Sequence, residues 1–157
     1  MTSIPFTYPE TEQPVRMVTK AAAPIPLHRS PVARPTTVPA VFRAAARLLV
    51  ANGHHQGDYC PDPFDRRSKT SHALRPLSIV AAIRCVVAGN PHRESPLAAE
   101  AVKVLAGRLE VDGLGAWNDE PFWLEQHVDG WGDVEGRTAE CVVAVLEAAA
   151  DASEVAA

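Results

Sequence analysis

The stretch Pro76-Leu77-Ser78-Ile79-Val80-Ala81-Ala82-Ile83-Arg84-Cys85-Val86-Val87-Ala88 decides the fold. Leu77, Val80, Ala81, Ile83, Cys85 and Val87 fall on every side of a helical wheel rather than along one stripe. A helix that is apolar nearly all round has no face to give to water, so it belongs in the middle of a fold with other helices about it. Gly89-Asn90-Pro91 ends it, because glycine relaxes the backbone and proline cannot continue the ladder.

The flanking segments supply that cover. Downstream, Ser95 stands as an N-cap before Pro96 at the first helical position, and Leu97, Ala101, Val104 and Leu105 form the stripe of a helix ending near Leu109. Thr138 opens a last helix with Glu140 in its first turn, and Val142, Val145, Leu146 and Ala149 are its apolar stripe. Upstream, Thr37 and Pro39 open a helix from about Val38 to Ala51, striped by Val41, Ala45, Leu48 and Leu49 and stopped by Asn52-Gly53. Hydrophobic residues make up 46% of the chain but aromatics only 6%, so these stripes are of alanine and valine and the helices approach closely. The expectation is a mostly α fold: a compact bundle of about four helices over residues 37–151, with 152–157 a frayed tail.

The remaining segments read as connections. Residues 53–75 form a long polar loop interrupted by Pro61 and Pro63. Residues 110–137 hold Trp117, Trp123 and Trp131; Gly130, Gly132 and Gly136 point to a loop there, with at most one helical turn at Leu124–Val128. Residues 1–36 carry seven prolines and scattered apolar residues without period, the pattern of a disordered Pro-rich arm. Its docking anchors would be Ile4-Pro5-Phe6 or Pro24-Ile25-Pro26-Leu27.

Charge and cysteine usage bound the class. Residues 1–93 carry 12 Lys/Arg against 5 Asp/Glu, and residues 94–157 carry 3 against 14, so a net charge of −4 hides two oppositely charged halves. Either the halves attract each other within one fold, or the basic part reaches an acidic partner or nucleic acid through Arg29, Arg34, Arg43 and Arg47. Three cysteines without paired spacing argue against a disulfide scaffold and fit a reducing compartment. Pro5, Pro9, Glu10, Glu12 and Pro14 break any signal-peptide core, and no apolar run approaches the roughly 20 residues that span a bilayer. A cytoplasmic protein without membrane contact is expected.

Three groups of residues carry candidate chemistry. His54, His55, Cys60 and His72 share one polar connection, and imidazole and thiolate suit zinc, although the spacing matches no familiar finger. Cys85 and Cys141 fall in apolar stripes and read as small hydrophobes. Trp117-Asn118-Asp119 and Gly136-Arg137-Thr138 flank the tryptophan-rich segment. In one reading they form a structural clasp: Trp117 plugs the core, Asn118 or Asp119 caps backbone and Arg137 ties the loop to the helix opened by Thr138. In the other they form an anion pocket at that helix N-terminus. Between them, Phe122, Trp123 and Trp131 are either a partner surface or a cap on a core of small residues. Phosphate loops, nucleophile elbows and His-Glu-x-x-His helices are absent from the sequence.

Taken together, Gly53-His54-His55-Gln56-Gly57, the Ala-rich helix from Ser78 to Ala88, Trp117-Asn118-Asp119, Gly136-Arg137-Thr138 and the Val142–Ala150 helix resemble an uncharacterised small helical domain family of actinobacteria and their phages. The resemblance covers about residues 40–151. It implies no activity, cofactor or catalytic residue. Similar sequences place Trp-Asn-Asp close to Gly-Arg-Thr, whereas here Glu120–Glu135 intervenes, which reads as a local elaboration and a partner surface.

The leading functional expectation is a non-enzymatic interaction or regulatory protein that presents Phe122, Trp123 and Trp131, with the Pro-rich segment as a flexible arm toward a protein partner. It calls for no cofactor. The rival is a zinc-binding domain or metal-dependent enzyme using His54, His55, Cys60 and His72. Nucleic-acid binding through the basic half ranks third, and alanine stripes leave room for self-association.

Overall fold

The computed structural model describes residues 33–155. The leader anchors and Arg29 therefore lie outside the described residues. Among those residues there are five α-helices, α1 (Val38–Asn52), α2 (Ile79–Ala88), α3 (Pro96–Ala106), α4 (Pro121–Gly132) and α5 (Ala139–Val155), with a 3-10 turn at His72–Leu74. Among the described residues there is no strand, only single bridge pairs such as His54 with Leu77.

The expectation of about four helices is corrected to five. The extra one, α4, occupies the segment read as a loop. Pro121 sits in its first turn, and Leu124, Val128 and Trp131 recur at helical spacing on its buried side. Gly130 and Gly132 lie in its last turn rather than breaking it. Gly132 is there for space: a Cβ at that position would meet Ile79 Cδ1 at 3.0 Å and His54 Nε2 at 3.1 Å.

The central helix behaves as its sequence requires. Ile79 through Cys85 are seven consecutive buried residues, and α2 packs against α1, α3 and α4. It begins at Ile79, later than Pro76, because Ser78 is the N-cap whose hydroxyl accepts the Ala81 amide at 3.2 Å. Ser95 caps α3 in the same way through Ala98 N, and Thr138 caps α5 through Cys141 N. The largest helix pairing is α1 with α5, and both bury residues in the same core, Val41, Phe42, Ala45 and Leu49 from α1 and Val142, Leu146, Ala149 and Ala150 from α5.

Helix α5 runs on past Asp151 to Val155, so residues 152–155 are helical rather than frayed. Arg43 of α1 explains this: its guanidinium reaches Asp151 at 3.1 Å and Glu154 at 2.9 Å, and the Ser153 hydroxyl donates to the Ala149 carbonyl. The ion pairs Arg43–Asp151, Arg43–Glu154, Arg84–Glu94 and Arg84–Glu125 all join the basic half of the sequence to the acidic half. The charge asymmetry is thus used within the domain. No helix among the described residues is long and apolar enough to cross a membrane.

Candidate functional site

The long loop between α1 and α2 is organised by a residue that no local pattern announces. Arg75 is buried, and its guanidinium donates to the carbonyls of Pro61, Asp62, Ser68 and Thr70 and to the Asp65 carboxylate. Five acceptors from one turn of chain match the fixed fork of an arginine. Asp62 folds the same loop from its other side, accepting the amides of Arg66, Arg67 and Ser68 at 2.7–3.0 Å; these bonds hold its carboxyl below the usual range. A loop this long without regular structure is thereby fixed by side-chain-to-backbone bonds.

That arrangement redistributes the four residues expected to share a metal. Cys60 and His72 come together, but His54 and His55 do not join them. His54 pairs through its backbone with Leu77 and packs on Gly132, while the His55 amide donates to the Leu77 carbonyl. Burial holds the His54 imidazole below its ordinary range. The third member of the cluster is His92, in the turn after α2. The ligand atoms of Cys60, His72 and His92 all lie within 4.8 Å of one another. His72 Nδ1 and His92 Nε2 are 2.8 Å apart, and His72 Nε2 lies 2.9 Å from Asp65 Oδ1.

The Gly53–Gly57 turn has a structural task. Gln56 Nε2 donates to the carbonyls of Gly132 and Val134 at 2.8 and 3.2 Å, and the Gly57 amide donates to Asp133 Oδ1 at 2.9 Å. The first of these satisfies the last carbonyl of α4, which lacks a helical partner, and the other two fix the chain just beyond it.

The tryptophans exchange their expected roles. Trp117 does not plug the core; it is 74% exposed. Trp131, expected at a partner surface, is 8% exposed and is the one that closes the core. The clasp forms around it: the Arg137 guanidinium stacks 3.7 Å from the Trp131 ring centroid, and its Nε donates to the Trp131 carbonyl. Asp119 takes no part, whereas Asn118 Oδ1 accepts the Glu120 amide at 2.8 Å just before α4. Phe122 and Trp123 remain outside, at 59% and 41% exposure. With Trp117 they make a contiguous ledge, the Trp117–Trp123 and Phe122–Trp123 ring centroids each being 5.2 Å apart.

Behind the ledge, α4 meets α2 through a polar seam. Arg84 is buried on α2 and pairs with Glu125 of α4; its guanidinium also lies 5.2 Å from the Tyr59 ring centroid. One turn further along α4, Asp129 reaches the start of α2. Its Oδ1 accepts the Val80 amide at 3.0 Å and its Oδ2 the Ser78 hydroxyl at 3.1 Å. Burial pushes the Asp129 carboxyl up to about 7, against the pull of those two bonds and with help from the neighbouring Asp133 and Glu125 charges.

The remaining expectations fall as follows. Cys85 is buried as read, but Cys141 is exposed at the start of α5; its thiol is held below the ordinary range, chiefly by the Thr138 hydroxyl. All three cysteines are free. Arg43 is engaged with α5, Arg34 lies against Gly89 and Arg47 stands exposed on α1.

A small all-α domain with an arginine-tied loop and a core helix capped from its neighbour is the class these features define. The chain belongs to DUF6197, a family of unknown function whose pattern matches residues 33–152 and so takes in α1 to α4 and most of α5. It matches no curated protein and no solved structure.

Proposed function

We propose that this domain is a non-enzymatic partner-binding module whose contact surface is the ledge of Trp117, Phe122 and Trp123. The observation that carries the reading is the mutual contact of three large, exposed rings. Single exposed aromatics are ordinary, but touching ones form a patch that water solvates poorly and a partner can cover. The charge around them selects the partner. Asp119 and Glu120 are exposed in the short segment between Trp117 and Phe122, so the fitting segment is apolar and basic, with Lys or Arg able to lie on a tryptophan face. Trp131 is not part of this surface. The Pro-rich leader is read from composition as a flexible arm. A cytoplasmic location fits three free thiols. The Trp117-Asn118-Asp119 and Gly136-Arg137-Thr138 signature supports an actinobacterial or phage origin.

A random-peptide library selected on the full chain tests this reading. Selected peptides should combine Lys or Arg with apolar positions, and by calorimetry the Trp117→Ala, Trp123→Ala double variant should bind them roughly tenfold or more weakly. Undiminished binding by the double variant refutes the proposal. So does a free chain that sediments as a dimer and becomes monomeric on Trp123→Ala, since a second copy would then be what covers the ledge.

A further inference from the structure

We propose that Cys60, His72 and His92 form a zinc-binding site, with Asp65 orienting His72 from outside the ligand set. The three ligands come from three separate segments. Cys60 is buried in the long loop, His72 opens the 3-10 turn and His92 lies in the turn after α2. Each stands on fixed backbone. The Tyr59 carbonyl accepts the Ser78 amide at 3.0 Å, the Leu74 amide closes on Ser71, and Asn90 Oδ1 accepts the His92 amide at 2.8 Å.

The hydrogen bonds set the imidazoles up for a metal. A carboxylate accepts only, so His72 donates its Nε2 proton to Asp65 and leaves the Nδ1 lone pair facing His92. A carboxylate behind a histidine whose other nitrogen is free is the outer arrangement of a ligating imidazole. Zinc bond lengths of about 2.0–2.3 Å place tetrahedral ligands roughly 3.3–3.6 Å apart. Relative to that spacing the His72–His92 pair is about half an ångström tight, while 4.8 Å bounds the separations to Cys60. Side-chain rotations of about an ångström therefore close the site. Binding releases the Cys60 thiol proton and leaves His92 protonated on Nδ1. Water takes the fourth position of the tetrahedron. Because Arg75 and Asp62 already tie the loop, the metal-free chain folds and binding can be measured on it.

Untagged full-length protein, stripped with chelator and titrated with zinc against a chromogenic competitor, should take up one ion per chain. His92→Ala, at an exposed turn, should lower the affinity roughly a hundredfold with an unchanged circular dichroism spectrum, and Asp65→Asn roughly ten- to a hundredfold. Cobalt in place of zinc should show a thiolate charge-transfer band that Cys60→Ser abolishes and Cys141→Ser preserves. Substoichiometric uptake overturns the proposal. Uptake unaltered by His92→Ala, or lost on replacing His54 and His55, overturns it equally. None of these outcomes bears on the aromatic ledge.

Discussion

Asp129 offers the sharpest test of how this core is balanced, because two opposing effects meet at one carboxyl. A carboxylate at the start of α2 gains from the helix dipole and from two hydrogen-bond donors, a favourable effect of about 0.3–2 kcal/mol. Withdrawal from water opposes it, as do the Asp133 and Glu125 charges, and the balance leaves the group titrating at about 7. That is about three pH units above an ordinary aspartate, worth about 4 kcal/mol at 1.36 kcal/mol per unit. The folded chain keeps a proton at Asp129 that the unfolded chain gives up near pH 4. Between about pH 4 and 7 the folded state thus binds more protons, and this residue's contribution to stability falls as pH rises, levelling off above 7.

Asp129→Asn removes the charge while keeping the shape, an acceptor for the Val80 amide and a donor for the Ser78 hydroxyl. Its stability relative to the parent should be near zero or slightly negative at pH 4.5 and should reach about 2–4 kcal/mol in its favour at pH 8. Chemical denaturation followed by circular dichroism at several pH values gives both curves. His54 and His92, held below the ordinary histidine range, add a slope of opposite sign in the mildly acidic region, but they are common to both chains and cancel in the difference. A variant less stable than the parent at pH 8 by 1 kcal/mol or more would show that the buried charge itself holds α2, and the argument would fail.

Two further outcomes follow from the same seam and from the cysteines. Arg84→Met should cost about 3–5 kcal/mol by leaving Glu125 uncompensated, while Arg84→Met with Glu125→Leu should recover most of that; a double-mutant cycle without coupling refutes the pairing. With a thiol reagent under native conditions, Cys141 should react fast, whereas Cys60 and Cys85, buried and with thiols pushed up by that burial, should react only as the chain opens. Two or more fast thiols would contradict the burial of the loop and of α2.

What the sequence discloses depends on how local the cause is. Helix α2 was legible because nearly every residue in it is apolar, and α1, α3 and α5 because stripes and caps repeat within a dozen residues. Helix α4 had the same signals in Pro121, Leu124, Val128 and Trp131, but Gly130 and Gly132 outweighed them; only the approach of Ile79 and His54 explains why glycine is needed at 132. Spacing also separates the tryptophans, since Trp131 continues the stripe of Leu124 and Val128 whereas Trp117 lies outside any helix. Cys60 and His72 were visible as one loop's soft ligands. His92 was not, because a different turn supplies it. Arg75 and Asp129 left no trace, since their partners, backbone groups together with the Asp65 carboxylate and the Ser78 hydroxyl, are brought to them only by the fold.

Helix α4 is the part of this protein whose meaning changes most between sequence and structure. Read as an elaboration inserted between two motifs, it would be dispensable to the core. Instead its side chains at 125 and 129, one turn apart, hold Arg84 and the Ser78 hydroxyl and Val80 amide at the start of α2, and its final turn is received by Gln56 and Gly57. Trp131 closes the core under Arg137, and His127 donates to the Leu109 carbonyl beyond the end of α3. The exposed rings at 122 and 123 therefore sit on a helix gripped along its length by α2, α3 and the long loop. A ledge mounted that way surrenders little conformational freedom when it is covered, which makes it better suited to binding than the same aromatics on a loose loop.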